Sequence, residues 1–379
     1  MGILYNQSNK KLIMRIAVIH LGKKGAGPTY TLEMSRALQS QGVDVDVYLS
    51  DTVENKHFYE QSGLKLFCFP TYNSLSEFIF SVLTWYRIQR VINTINNNHY
   101  DFVYSTMPHL WDNFIFPRIK NAVRIKTLHD VGVHQGESSL FNKYWNKSQF
   151  KLADKYVVLS QQYVPVLERK GIERGNIAVV PHAGFTFYDM HDVSISTAEK
   201  PQILFFGRIS KYKGIELLLD TLSLIRTVNP DVVLKIVGSG DIVPYKEKLN
   251  ALKDNVILIN DWIKDEDVAD YIKDVDFVIL PYIHATQSGV IPLAYAFKKP
   301  VLATNVGCLS EQVCDGVTGW LVNELTAESI ANKAIEMLDD RGKTRVMGEQ
   351  AYVYMKENLT WESSAIKIIG FLKKDDPKE

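Results

Sequence analysis

From Arg15 onward the chain alternates short, densely apolar runs with longer amphipathic stretches. RIAVIHL is a β-branched run of strand length; a loop with Gly22, Gly25, Gly27 and Pro28 follows, then a helical stretch over 31–41 and the run VDVDVYLS. Strands buried on both faces read as near-continuous apolar runs, so this β-loop-α-β unit opens a doubly wound parallel sheet. Further strands are expected at 65–69, 102–105, 125–128, 156–159 and 178–180, with helices over 77–96 and 161–170 between them. A polar stretch at 191–201 interrupts the pattern, which then restarts with ILFFG (203–207), VVLKIVG (232–238), VILIN (256–260), FVILPY (277–282) and PVLATN (300–305). Helices fall between these runs, among them 215–228, and a last one near 363–373 closes the chain. The pattern predicts an α/β protein of two Rossmann-like domains facing across a cleft: an N-terminal domain over 14–190, a linker over 191–201, a C-terminal domain over 202–360, and a helix and tail over 361–379. The C-terminal helix is expected to cross back to the N-terminal domain. Residues 1–13 read as an unstructured leader, with Met14 a candidate start.

In open parallel sheets ligands sit beyond the C-terminal ends of the strands, often on helix N-termini, so the loops after the strands are where chemistry is sought. The strongest signal is FFGRISKYKGIELLLDTL, residues 205–222. Its strand ends at Gly207, Arg208 follows at once, and Lys213 with Gly214 opens a helix five residues later. Two cations and free backbone N–H groups at one strand–helix junction suit an anionic diphosphate. The alternative is a pair of ordinary exposed loop charges. KIVGSGD (235–241) places Gly238 and Gly240 after a strand, where backbone can approach a ligand closely. Thr286, Gln287, Ser288, Gly289 and Val290 precede an apolar helix and offer hydroxyl and amide donors, and NVGCLSEQVCDGVTGWLV adds Gly307, Glu311, Gly316 and Gly319.

Taken in order, GRISKYKG, the strand ending in Pro281-Tyr282, and NVG-x3-E-x-V-x-DG-x-TG-x-LV resemble family 4-type glycosyltransferases of the GT-B fold; VLSQQYVPVLERKGI and VVPHAGF (158–185) resemble the end of their acceptor domain. The similarity runs over roughly 14–370. It implies a retaining, metal-independent enzyme that moves a sugar from a nucleotide-diphosphate sugar, a UDP- or GDP-hexose, to a glycan or lipid-linked acceptor. The nucleotide-sugar is then a substrate, and neither a cofactor nor a metal is expected. By resemblance Arg208 and Lys213 clamp the donor diphosphate, Gly207, Gly238 and the 286–290 loop line the donor site, and the loop of Gly22, Gly25 and Gly27 serves acceptor and phosphate. His129, in TLHD, matches a histidine placed near the transferring sugar. A histidine at a strand end is otherwise more often structural.

The chain departs from the family where two glutamates, separated by seven residues, usually contact sugar and ribose. Counted back from Lys299-Pro300, those positions hold Ala285 and Leu293. Thr286, Gln287 and Ser288 offer uncharged hydrogen bonds instead. Glu311 is a candidate for part of the sugar contact; its alternative is a cap on a helix at 309–314. Two D-x-D triplets, Asp44-Val45-Asp46 and Asp274-Val275-Asp276, lie at strand starts, the wrong end for a metal loop, and read as surface carboxylates.

Composition narrows the partners. Among 379 residues, 43 Lys and Arg balance 43 Asp and Glu, but residues 1–180 hold 21 cations against 14 acids and the remainder 22 against 29. A basic first half suits a membrane face or a phosphorylated carrier; scattered solvated charge is the equal alternative. A helix at 78–95 would line up Phe78, Val82, Trp85, Ile88, Ile92 and Ile95, with Arg87 and Arg90 off that face. Core packing explains the stripe more simply than a peripheral membrane contact by the N-terminal domain. The apolar stretch 78–91 is too short and too charged to span a bilayer, and no secretory signal pattern opens the chain. Cys68, Cys308 and Cys314 are widely spaced and read as small buried hydrophobes. The expected location is the cytoplasm, or the inner face of its membrane, and the expected role is polysaccharide, lipopolysaccharide or capsule assembly. Cations are not concentrated as a nucleic-acid binder requires. Two rivals stand beside the enzyme: a sugar-nucleotide epimerase on the same fold, and a non-catalytic donor-binding or scaffold partner that has lost the glutamates.

Overall fold

A computed structural model describes residues 13–129, 131, 148–184, 199–264 and 267–374. Most of the expected leader and 191–198 of the expected linker lie outside the described residues. Two parallel sheets carry the fold. The first orders its seven strands β3-β2-β1-β4-β5-β6-β7, the second its six as β10-β9-β8-β11-β12-β13.

In the first sheet β1 (Arg15–His20) sits at the centre between β2 (Asp44–Ser50) and β4 (Phe102–Ser105), with Ile16 opposite Val45 on one side and Phe102 on the other. β3 is Lys65–Phe69, β5 Val123–Leu128, β6 Lys155–Val158 and β7 Ile177–Val179. In the second sheet β8 (Gln202–Phe206) lies between β9 (Val233–Val237) and β11 (Phe277–Leu280), with β10 Val256–Ile259, β12 Val301–Thr304 and β13 Gly319–Val322 beyond them. The central strands are buried along nearly their whole length, which is why they read as unbroken apolar runs. Each sheet reverses its strand order once, between β1 and β4 and between β8 and β11. Those two switch points open a crevice at the C-terminal strand ends.

Contacts divide the chain into two compact units. One holds the described residues up to Leu128, Ser148–Val157 and the chain from Ala365 on; the other holds His129, 158–184 and 199–364. The last helix, Trp361–Lys373, thus gives its C-terminal part to the first unit, where Lys155 Nζ stands 4.4 Å from the Phe371 ring.

Several expectations need correction. The helix expected over 77–96 is two, Leu75–Thr84 and Tyr86–Asn98, broken at Trp85 in the left-handed region (φ 59°). Its predicted apolar stripe does face the core: Ile88, Ile92 and Ile95 are buried, and Phe78, Val82 and Trp85 pack against the same cluster. β13 was not anticipated as a strand. The D-x-D triplets are not uniformly surface groups either. Asp46 is only 2% exposed, accepting hydrogen bonds from Tyr100 Oη (2.6 Å) and Lys65 Nζ (3.1 Å). Asp276 accepts from the Gln202 N–H at 2.8 Å and from Arg341 at 2.7 Å. Both serve the sheet, since a buried carboxylate persists only when paired. Of the cysteines, Cys308 is buried, whereas Cys68 and Cys314 are half-exposed.

Candidate active site

At the second switch point, the loop after β8 is fixed by backbone contacts that only glycine permits. Gly238 (φ 140°) lies so close to Gly207 that a Cβ would come 2.1 Å from the Gly207 carbonyl oxygen. Gly214 (φ 74°) opens the helix Ile215–Val228, and a Cβ there would stand 1.8 Å from the Pro281 carbonyl oxygen. The loop after β8 therefore closes onto the end of β11. Backbone bonds from Ile283 N–H (2.9 Å) and His284 N–H (3.3 Å) to the Tyr212 carbonyl complete the seam.

Two cations belong to this loop, and one of them is held by the seam. Arg208 is exposed. Lys213 lies across the buried Tyr282, its Nζ 3.6 Å from the ring centroid and 5.4 Å from that of Tyr212. Stacking on a buried aromatic face fixes a side chain that is otherwise freely rotating, at a position beside the strand end. Gly207, Arg208, Lys213 and Gly238 are thus brought to one place.

The 285–290 loop follows β11 and is braced from below. The buried Gln312 side chain accepts from Ser288 N–H (2.9 Å) and donates to the Ser288 carbonyl (3.1 Å), a two-point grip on one residue's backbone. Ser288 Oγ in turn lies 3.2 Å from Tyr282 Oη and accepts from Val290 N–H at 3.3 Å. Ser288 and Val290 therefore spend their polar groups on the loop itself. Gln287 Nε2 donates to the Leu159 carbonyl, and Thr286 is half-buried. The helix that follows, Val290–Ala296, is only two turns long, so its dipole is smaller than the apolar run suggested.

Ala285 and Leu293 stand where the sequence pattern expects two glutamates. The Ala285 carbonyl oxygen would be 1.7 Å from a Cβ on Gly307 (φ 54°), so the loop after β12 presses against it; Leu293 is buried. Glu311 does cap a helix, but not its own. Its carboxylate accepts from Ser160 Oγ (2.8 Å), Gln161 N–H (3.0 Å) and Gln162 N–H (3.3 Å), satisfying the N-terminus of the helical segment that begins at Gln161. Gln162 Nε2 adds a bond to the Gly307 carbonyl at 3.0 Å.

One histidine was missed in the sequence. His182, in VVPHAG, is buried, and its Nε2 would lie 3.7 Å from a Cβ on Gly289. Nδ1 stands 2.8 Å from the Ala183 carbonyl oxygen, which can only accept, so Nδ1 carries the proton and Nε2 of the neutral ring is an acceptor. Burial pushes its pKa down to about 4; the bond to Ala183 works against this and the neighbouring His129 adds to it. His129 itself is half-buried at the end of β5 and lies close enough to His182 for their charges to interact. The two imidazoles and Gly289 therefore form one neighbourhood, which only the three-dimensional arrangement reveals.

At the first switch point the glycines have separate duties. Gly25 (φ 92°) starts the helix Ala26–Ser40 with open space around it. Gly22 and Gly27 wrap the buried His20 ring; a Cβ would stand 3.0 Å and 2.6 Å from its Cε1. Beneath this loop lies a second polar cluster the sequence did not announce. Lys126, fully buried on β5, pairs with buried Asp112, which also accepts from His109 N–H at 2.9 Å. Burial, then the charges of Lys126 and Lys23, push His109 down to about 3. Burial lowers Lys126 despite its partner.

Two Rossmann-like parallel sheets, each with glycine loops at its switch point, give the chain an α/β fold of GT-B type. Comparison with known proteins gives the family. Residues 27–183 match the model described as Glycosyltransferase Family 4, and residues 200–340 the model described as Glycosyl transferases group 1. The chain belongs to these family 4-type glycosyltransferases. It is 21% identical over 373 residues to an uncharacterized glycosyltransferase of Methanocaldococcus jannaschii, covering 90% of this chain and 92% of that one. It is 28% identical over 232 residues to a lipopolysaccharide 1,2-N-acetylglucosaminetransferase of Salmonella typhimurium, covering 56% and 60%. In structure it resembles Anabaena HepE, solved in complex with UDP, with a TM-score of 0.75 at 18% identity over 96% of this chain and all of that one.

Proposed function

We propose that the chain is a retaining, metal-independent glycosyltransferase that moves a hexose from a UDP- or GDP-sugar to a glycan or lipid-linked acceptor. The observation that carries this reading is the seam between the loops after β8 and β11, which stacks Lys213 on Tyr282 within the same short loop as the exposed Arg208. Departure of a nucleoside diphosphate leaves developing negative charge on its β-phosphate, and fixed cations stabilise that charge without reorganising. Two such cations supply what a divalent ion supplies in other transferases. His182 stands beside Gly289 with His129 near it, and a sugar hydroxyl there would donate to the neutral His182 ring. The relatives' printed roles, lipopolysaccharide assembly in one and UDP binding in another, favour an acceptor in surface-glycan or glycolipid assembly and a UDP donor. Among the described residues no helix is long and apolar enough to cross a membrane. We place the reaction at the cytoplasmic face.

The test is thermal melting against a panel of UDP-, GDP- and ADP-sugars without added metal, since a ligand bound only to the folded state raises the midpoint. One nucleotide should raise it, and Arg208→Ala should abolish both the rise and turnover while the protein stays folded. The missing carboxylates at 285 and 293 favour a second reading, a donor-binding partner without transfer activity. That reading gains if the midpoint rises with a nucleotide-sugar and no acceptor yields product.

A further inference from the structure

An open sheet ends in edges whose outward N–H and C=O groups accept another strand, and folds blunt such edges with charge, proline, bulges or shortness. The two sheets end in β3, β7, β10 and β13, and all but one of these are blunted. β3 begins with Lys65, whose Nζ reaches Asp46 at 3.1 Å and lies 5.0 Å from the Phe67 ring. β7 has only 3 residues. β13 spends its outer side on its own chain: Leu321 N–H donates to Asp315 Oδ1 and Gly316 N–H to the Gly319 carbonyl, both at 2.8 Å.

β10 has no such guard. Its 4 residues, VILI, include neither a charge nor a proline, and they follow β9 in unbroken register from Val256–Leu234 to Ile259–Val237. Leu234 N–H donates to the Asn255 carbonyl and Gly238 N–H to the Ile259 carbonyl, so every second residue from Asn255 faces β9. The alternation turns the backbone groups of Val256 and Leu258 outward, where no strand stands among the described residues. The Val256 and Leu258 side chains pack on the core, whereas Ile257 points to the other side of the sheet and is 47% exposed.

We infer that the protein pairs with a second copy of itself, edge to edge through β10, which continues the second sheet of one copy into that of the other. A two-fold axis closes two identical edges only when the strands run antiparallel. With the axis at Ile257, Val256 exchanges backbone bonds with Leu258 of the second copy. Ile257 then meets its own counterpart in a non-hydrogen-bonded position, with Cα atoms about 4.5 Å apart, and covers its exposed side chain. The same register sets Lys253, exposed just before the strand, opposite Asp261, exposed just after it. Charge selects this register over its neighbours. An axis at Val256 sets Asp254 against Leu258, and an axis at Leu258 sets Asp254 against Trp262; neither pairs Lys253 with an acid. The pairing uses no residue of the candidate active site and does not depend on the transferase reading.

The experiment is sedimentation velocity of the full chain over micromolar concentrations, where the parent should be a dimer. Ile257→Lys changes an exposed position, so its melting midpoint should match the parent's; it should sediment as a monomer, because the axis sets the two cations face to face. Lys253→Glu and Asp261→Lys, each alone, should raise the dimer Kd at least about tenfold, since the two-fold repeats every like-charge contact. The two together should return the Kd to the parent's, because the exchanged charges again pair. Ile257→Cys should form a disulfide-linked dimer under mild oxidation, which the parent with Cys68, Cys308 and Cys314 should not. The inference is overturned if the parent is a monomer throughout, or if Ile257→Lys remains a dimer. It is equally overturned if the charge exchange dimerises no better than its single variants, or if a dimeric Ile257→Cys fails to cross-link, which would put the axis elsewhere.

Discussion

Gln312 carries the loop after β11. Its side chain grips both backbone polar atoms of Ser288 in a buried site, so replacing the amide leaves a buried N–H and a buried C=O without that partner. Gln312→Met keeps the length and volume and removes both bonds. An unsatisfied buried group costs about 1–3 kcal/mol, so the loss should be roughly 2–5 kcal/mol. Gln312→Glu retains the acceptor for Ser288 N–H but turns the donor facing the Ser288 carbonyl into a carboxylate oxygen. That carboxyl repairs the pair only when protonated, so its folded pKa should be raised. A raised acid pKa means that the stability is present at low pH and is lost as pH rises through the folded value; the glutamate variant should be more stable at pH 5 than at pH 8, relative to the parent. Urea unfolding at both pH values measures this, and the melting shift with nucleotide-sugar measures the loop. Both variants should lose part of the shift, since Ser288 holds the loop that contains Gly289. If Gln312→Met unfolds within about 0.5 kcal/mol of the parent, the range of an ordinary surface change, the brace is not what holds this loop.

The buried pair in the first unit makes an opposite prediction for single and double changes. Lys126→Met or Asp112→Leu alone should cost about 3–5 kcal/mol, because each strands a buried charge, while the double variant should recover most of that loss in urea unfolding. Equal or additive damage in the double variant would refute the pairing. His182 and His109 shape the acid limit: both pKa values lie below that of a free histidine, so the unfolded chain binds protons that the native one refuses. Stability should therefore be complete above about pH 6.5 and fall with decreasing pH, and His182→Gln should remove about 2 kcal/mol of the loss between pH 7 and pH 5, read from urea midpoints.

The sheets were legible because burial on both faces leaves a mark that needs no partner: IAVI, FVIL and VLAT are apolar whichever strand lies beside them. The element that escaped, β13, is short, begins with Gly319, and joins the sheet through β12 at long range. The break at Trp85 escaped because neither glycine nor proline signals it. A tryptophan takes the left-handed region there with its ring lying against Phe114 and its Nε1–H bonded to Gln89 at 2.7 Å.

The site divides along the same line. The loop that carries Arg208 and Lys213 was legible because a strand end, a glycine and a helix start fix where the backbone turns. Glu311 and Gln312 show what such a rule lacks. They are neighbours on one short helical turn, and Glu311 looked the better ligand because it is charged. The fold commits Glu311 to the side chain of Ser160 and the backbone of 161–162 and turns Gln312 inward to Ser288, so the loop after β11 depends on the residue the sequence passed over. His182 escaped for the same reason, since its nearness to Gly289 joins residues more than a hundred positions apart. A local pattern records which residue types can serve a turn or a strand end. Whether a side chain is spent on the fold or left for a substrate is decided by partners distant in sequence. The loop after β11 is built without a carboxylate at 285 or 293: its bracing comes from Gln312, Tyr282 and the Gly307 turn.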